Sequence, residues 1–173
     1  VNVTNLNDNA PVFTSLATFS AEENQTAIGT VTVTDADGDD ITFSVSGSEL
    51  AITSGGVLTF VSAPDYETKP TYTATVTASD GTNSTNQTIT VNVTNLNDNT
   101  PVFSSGTAFN AEENQTSIST ITATDADGDT ISYSISGSEI EINSSTGVLT
   151  FVSAPDYETK SSYTATVTAS DGT

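Results

Sequence analysis

Twenty-two carboxylates and two lysines give this 173-residue chain a formal charge of −20, and eighteen of the 22 acidic residues fall in or beside short recurring motifs. The motifs are Glu22-Glu23-Asn24, Asp35-Ala36-Asp37-Gly38-Asp39, Asp65-Tyr66-Glu67, Asp80-Gly81 and Asn95-Leu96-Asn97-Asp98-Asn99, each with a second copy. Only Asp40, Glu49, Glu139 and Glu141 lie clearly outside them. A solvating surface scatters its charges, whereas these are concentrated at turns. Carboxylates one residue apart, mixed with Asn and Gly, suit a hard, oxygen-seeking cation. Calcium takes six to eight oxygens at roughly 2.3–2.6 Å from carboxylates, amide oxygens and backbone carbonyls. Magnesium keeps more water and needs fewer protein ligands, so calcium is the expected ion.

Composition removes most other chemistry. There is no Cys and no His, hence no zinc or iron–sulfur centre, no disulfide framework and no Ser-His-Asp triad. Both basic residues are lysines, too few to neutralise a nucleic-acid backbone or dock on an anionic membrane. No apolar run approaches the ~20 residues of a membrane helix. Carboxylate pairs suited to glycoside hydrolysis exist, but they belong to the cation motifs and no insertion forms a cleft. The chain is therefore not expected to be an enzyme.

The elements that must carry these carboxylates read as strands. Tyr72–Ala78, Ile89–Val93 and Ile41–Val45 alternate strictly between apolar residues and Thr, Ser or Asn, the pattern of half-buried antiparallel strands. No window shows a helical stripe. The chain also repeats itself. Val1–Asn9 returns unchanged as Val91–Asn99 at an offset of 90 residues, and Ala78–Thr82 returns as Ala169–Thr173 at an offset of 91. The single inserted residue lies between Glu139 and Gly147, where a loop absorbs it. Each module should hold seven strands, which in the first lie near Val12–Ala21 (interrupted), Ile28–Thr34, Ile41–Val45, Leu50–Ile52, Val57–Phe60, Tyr72–Ser79 and Gln87–Thr94. The fold class expected is all-β, as tandem seven-stranded Greek-key sandwiches. Residues 1–9 read as the tail of a preceding module and its linker, 10–99 as a complete module with its linker, and 100–173 as a module without its last strand. The bland explanation of those flanks is an excerpt from a longer array.

Five motifs in this order, twice over, resemble those of cadherin repeats. The family carries Pro-Glu-Asn near the first strand, Asp-x-Asp after the second, Asp-x-Glu before the sixth, Ala-x-Asp after it, and an Asp-x-Asn-Asp-Asn-x-Pro linker. Here Glu22 replaces the Pro and Asn95 the first linker Asp, neither a principal ligand position in the family. The resemblance implies calcium ions, typically three, clamped between consecutive modules. Carried over residue by residue, Glu23, Asp65 and Glu67 of the first module would bind, followed by Leu96 through its carbonyl, Asn97, Asp98 and the Asn99 carbonyl. The next module would add Asp125, Asp127 and Asp171, with a backbone carbonyl near Gly128 or Asp129. Half-sites are implied at Asn7, Asp8, Asn9, Asp35, Asp37 and Asp80, and at Glu113, Asp156 and Glu158.

The function expected is a calcium-rigidified structural and adhesive repeat of an extracellular surface or filament protein, closer to prokaryotic cadherin-like adhesins than to animal cadherins. Its partners would be neighbouring repeats of the same protein, with other copies of the chain or surface glycans left open. The competing reading is a carbohydrate-binding sandwich of a secreted polysaccharide-degrading protein, which needs exposed aromatics to stack sugars. Asp37-Gly38 and Asp80-Gly81 alone would be ordinary turns; clustering favours metal. Lys69 and Lys160, each after Asp-Tyr-Glu-Thr, read as solvated surface. Seven Asn-x-Ser/Thr sequons, among them Asn24, Asn86 and Asn114, leave glycosylation open.

Overall fold

Strict alternation along Thr71–Ser79 produces a strand whose Ala74, Val76 and Ala78 are buried while the residues between them reach solvent. The computed structural model describes residues 1–173, and every regular element in it is a strand. Two units form, Val1–Leu96 and Asn97–Thr173. In the first, nine strands run in order: β1 (Val12–Phe13), β2 (Thr18–Glu22), β3 (Ala27–Thr30), β4 (Val33–Thr34), β5 (Thr42–Val45), β6 (Leu50–Ile52), β7 (Val57–Phe60), β8 (Thr71–Ser79) and β9 (Ser84–Thr94).

One sheet has the order β2-β9-β8-β5 and the other β3-β7-β6, with β1 and β4 paired separately. The β8–β9 hairpin is the longest ladder, in antiparallel register from Thr71↔Asn92 to Ser79↔Ser84. β2 joins β9 in parallel, from Thr18↔Thr90 to Glu22↔Thr94. Between the sheets lies a core of Val31, Leu50, Leu58, Phe60, Val76, Ile89, Val91 and Val93. Leu58, Val76, Ile89 and Val91 are wholly shielded, each stabilising the fold by roughly 1.5–3 kcal/mol relative to exposure.

Two expected strands differ in detail. Residues 28–34 form two pieces instead of one, because β3 pairs with β7 while β4 pairs with β1. The break carries the segment from one pairing to the other, with a bulge between Ala27 and Gly29. The last strand starts at Ser84, ahead of the Gln87 expected from the alternation. A glycine closes the turn beside the break. Gly56 has φ +80°, and a Cβ there would stand 2.3 Å from the Val31 carbonyl oxygen; Gly147 meets Ile121 in the same way at 2.2 Å.

The second unit contains β10 (Val102–Phe103), β11 (Ser117–Thr120), β12 (Ala123–Thr124), β13 (Ser132–Ile135), β14 (Ile140–Ile142), β15 (Val148–Phe151) and β16 (Val167–Ser170). Its pairings β10–β12, β11–β15–β14 and β13–β16 repeat those of the first unit. No strand corresponds to β2 or β9, and β16 is four residues long where β8 is nine. In the first unit β9 hydrogen-bonds both neighbours; in the second unit residues 107–112 and 161–165 form no strand. They border a trough of about 890 Å³ lined by Phe103, Ile118, Ile135, Leu149, Phe151 and Tyr163.

Both lysines lie half-exposed at the surface, as expected, and each also has partners there. Lys69 pairs with Glu49 and lies 4.5 Å from the centre of the Tyr72 ring. Lys160 pairs with Glu139 at 2.6 Å and sits 4.5 Å from the Tyr163 ring centre. Each ammonium thus sits over an aromatic ring and also reaches a carboxylate. No helix is long and apolar enough to cross a membrane.

Candidate metal centre

The β8–β9 ladder sets the spacing of the carboxylates in the first unit. Asp80 follows the end of β8 paired with Ser84, whereas Leu96 follows the end of β9 near Thr71. Eight strand steps separate these ends, about 26 Å at 3.3 Å per residue. Acidic groups gather at each end.

Near Asp80, the loop after β4 folds around one carboxylate oxygen. Asp35 Oδ1 accepts the backbone N–H groups of Asp37 at 2.9 Å and Gly38 at 3.1 Å. Asp37 in turn fastens the linker that precedes β1. Its Oδ2 accepts N–H from Asp8 at 3.0 Å and Asn9 at 2.8 Å, and its Oδ1 accepts the Asn9 side-chain amide at 2.9 Å. Asn7 donates its amide to the Asp80 carbonyl at 3.3 Å. Asp80 Oδ1 accepts N–H from Thr82 at 2.7 Å and Asn83 at 2.6 Å.

The second unit rebuilds this arrangement from its own residues. Asp127 Oδ2 accepts N–H from Asp98 at 3.1 Å and Asn99 at 2.8 Å, and Asp127 Oδ1 accepts the Asn99 amide at 2.9 Å. Asn97 donates to the Asp171 carbonyl at 3.4 Å. Asp125 Oδ1 accepts N–H from Asp127 at 3.0 Å.

At the other end of the first unit, Glu23, Asp65 and Glu67 bring ligand atoms within 4.8 Å of one another. Glu23 is only 2 % exposed. Its two carboxylate oxygens accept N–H from Tyr66 and from Leu96, both at 2.8 Å. The preceding Glu22 is exposed, so of the two adjacent glutamates Glu23 is the one turned inward. Asn24, at φ +62°, turns the chain immediately after it. In the second unit Glu113, Asp156 and Glu158 form the same cluster with every member exposed, and Glu113 accepts N–H from Tyr157 at 3.0 Å.

Electrostatics follow from these contacts. The Asn9 backbone and side-chain donors hold the Asp37 carboxyl below its ordinary value. Burial works against charge on Asp80, but donors from Asn83 and Thr82 outweigh it and the net shift is downward. The Thr173 N–H lowers Asp171, and the Thr159 hydroxyl lowers Asp156. Asp39 moves upward, through burial first and then repulsion from Asp35 and Asp37.

The residues fit a hard divalent cation. Asp35 Oδ2, Asp125 Oδ2 and Asp171 Oδ2 are shielded from solvent without a hydrogen-bond partner, while Oδ1 of each is occupied by backbone N–H. A shielded anionic oxygen without a partner is costly, and a cation bound by several such oxygens removes the cost. Sequence reasoning placed Asp35, Asp37, Asp80 and their repeats in this group and left out the carboxylates of Asp39 and Asp129. The structure brings Asp39 together with Asp35 and Asp37, and Asp129 with Asp125 and Asp127; the Asp-x-Asp-x-Asp spacing was the available signal.

Known proteins match this chain along its whole length. The cadherin domain family matches residues 107–173, and the bacterial Ig domain family matches residues 7–94. Human cadherin EGF LAG seven-pass G-type receptor 2 is 36 % identical over 192 residues, covering 99 % of this chain and 7 % of the receptor. Human protocadherin Fat 1 is also 36 % identical, over 197 residues covering 99 % of this chain and 4 % of that protein. The chain belongs to the cadherin-like repeats. Its fold agrees: the structure of mouse cadherin-23 EC22–24 superposes with a TM-score of 0.80 at 25 % identity, covering 98 % of this chain and 61 % of that one. Human protocadherin-24 EC1–2 gives 0.76 at 24 % identity, covering 95 % and 94 %. The chain spans a small fraction of the length of the curated relatives it matches.

Proposed function

We propose that this chain is a calcium-rigidified segment of an extracellular surface or filament protein, providing reach and stiffness. Residues 10–99 act as a complete repeat with its linker, preceded by a linker at 1–9 and followed by a second repeat at 100–173. The observation that carries the reading is the set of shielded, unpartnered oxygens on Asp35, Asp125 and Asp171. The ligands are Glu23, Asp65 and Glu67, then Leu96, Asn97, Asp98 and Asn99, then Asp125, Asp127 and Asp171. Their seven carboxylates come close to balancing three calcium ions. Asn7, Asp8, Asn9, Asp35, Asp37 and Asp80 form one partial site, and Glu113, Asp156 and Glu158 another.

The mechanism is a change of stiffness. Without calcium the carboxylates repel; with calcium they share an ion, so binding is coupled to the orientation of successive repeats. Extracellular calcium modules bind at about 10⁻⁴–10⁻³ M, which suits a location outside the cell. The partners are neighbouring repeats, with contacts between copies or to surface glycans as further uses. Against sugar binding as the principal role, Tyr72 and Tyr163 are committed to packing: Tyr72 lies edge-on against Phe60 with ring centres 5.0 Å apart, and Tyr163 does the same with Phe151.

Calorimetric titration of calcium into metal-stripped chain, beside Asp98→Ala, tests the proposal. Three sites with affinities at or below millimolar, largely lost in the variant, are the expected outcome. No binding at millimolar calcium overturns it and moves the sugar-binding reading forward.

A further inference from the structure

We infer that Asp39 and its repeat Asp129 bind calcium through their own side-chain carboxylates, as a further anionic ligand in addition to Asp35, Asp37 and Asp80 or their repeats. The inference rests on the calcium reading above and extends the ligand set carried over from the family pattern, in which this loop contributes only a backbone carbonyl.

The loop geometry delivers Asp39 to the site. Asp35 Oδ1 draws the N–H groups of Asp37 and Gly38 around it, with the Asp39 N–H at 3.5 Å, and Gly38 turns the chain at φ +80°. The carboxylate of Asp39 then lies within 4.8 Å of those of Asp35 and Asp37. Its Oδ2 is shielded from solvent and has no hydrogen-bond partner, as is also true of Asp35 Oδ2. Two orphaned carboxylate oxygens in one short loop call for a shared cation.

No side chain of the protein supplies that cation. The only two basic residues are Lys69 and Lys160, and these are engaged by Glu49 and Glu139. Three carboxylates within 4.8 Å therefore have no basic side chain to offset their repulsion. The adjacent residue shows the contrast. Asp40 belongs to no cluster and is replaced by Thr130 in the second copy, whereas Asp129, though exposed, retains the carboxylate and joins Asp125 and Asp127.

The test uses the full chain with Asp39→Ala, Asp129→Ala and, as a control that removes a charge from the same loop, Asp40→Ala. Two measurements are made: calcium affinity by calorimetry, and the number of waters on bound terbium from luminescence lifetimes in H₂O and D₂O. Asp39→Ala and Asp129→Ala should each weaken one site about tenfold and add about one water to the ion, since a lost ligand is replaced by solvent. Asp40→Ala should change affinity less than about twofold and leave hydration unchanged. Equal effects of Asp39→Ala and Asp40→Ala, with hydration unchanged in both, overturn the inference and leave the calcium reading intact. Failure of the unaltered chain to bind calcium overturns both.

Discussion

Glu23 is the buried charge of the first unit, and replacing it with glutamine isolates what its carboxylate does before any ion binds. The carboxylate holds two backbone N–H groups, Tyr66 in the Asp-Tyr-Glu loop and Leu96 after β9, each at 2.8 Å. Glutamine has a single acceptor oxygen. One N–H keeps a bond that weakens from charged to neutral, a loss of about 1 kcal/mol, while the other faces an amide NH₂ and loses about 1.5–3 kcal/mol. Relief of repulsion among Glu23, Asp65 and Glu67 acts in the opposite direction and reduces the net destabilisation to about 2 kcal/mol. For a module of this size that corresponds to a fall of roughly 8–16 °C in Tm. Scanning calorimetry of the full chain in EDTA should show the transition of the first unit moving by this amount and that of the second unit unchanged. Glu113→Gln gives the internal comparison: Glu113 is exposed and holds one N–H, so its effect should stay below about 1 kcal/mol. A Tm for Glu23→Gln equal to or above that of the parent would refute the reasoning, because the buried carboxylate would then be a centre of repulsion and not a tie.

Other outcomes follow from features already described. Gly56→Ala places a Cβ 2.3 Å from the Val31 carbonyl at φ +80° and should cost more than about 2 kcal/mol in urea unfolding. Lys69→Ala removes a half-exposed ion pair and the cation over Tyr72; a loss of about 1 kcal/mol is expected, part of it persisting in high salt. In calcium-free protein, carboxyl titration by NMR should give a midpoint below 3.8 for Asp37 and above 3.8 for Asp39. Asp37 therefore stabilises the fold above its unfolded value and loses that contribution as pH falls through the lower folded one. For Asp39 the direction is reversed, and protonation relieves repulsion.

Alternation is not uniform along the chain, and that decides which parts of the fold were legible. Ala74, Val76, Ile89 and Val91 alternate with polar neighbours, and all are buried as expected. The division of residues 28–34 was not legible, since only the presence of β7 and β1 as separate partners shows where the chain leaves one ladder for the other. Ser84-Thr85-Asn86 has no apolar member, and it enters β9 because β8 continues opposite it. Within the site, spacing revealed the clusters but not which oxygens each Asp would lend to its own loop. The partner of Lys69 was not legible because Glu49 lies 20 residues earlier in the chain, a separation no local pattern reports.

The parallel pairing of β2 with β9 has a mechanical consequence. These strands lie toward opposite ends of the first unit's sequence, and five consecutive residue pairs join them, from Thr18↔Thr90 to Glu22↔Thr94. Tension applied before β2 and after β9 pulls two parallel neighbours past one another, along their length. The ladder bonds run across that direction and are loaded together, in shear. An antiparallel pair pulled from one end would instead open one bond at a time. Resistance to forced extension is governed by the unfolding rate, so in this unit β2 and β9 form the clamp that a stretched array must break.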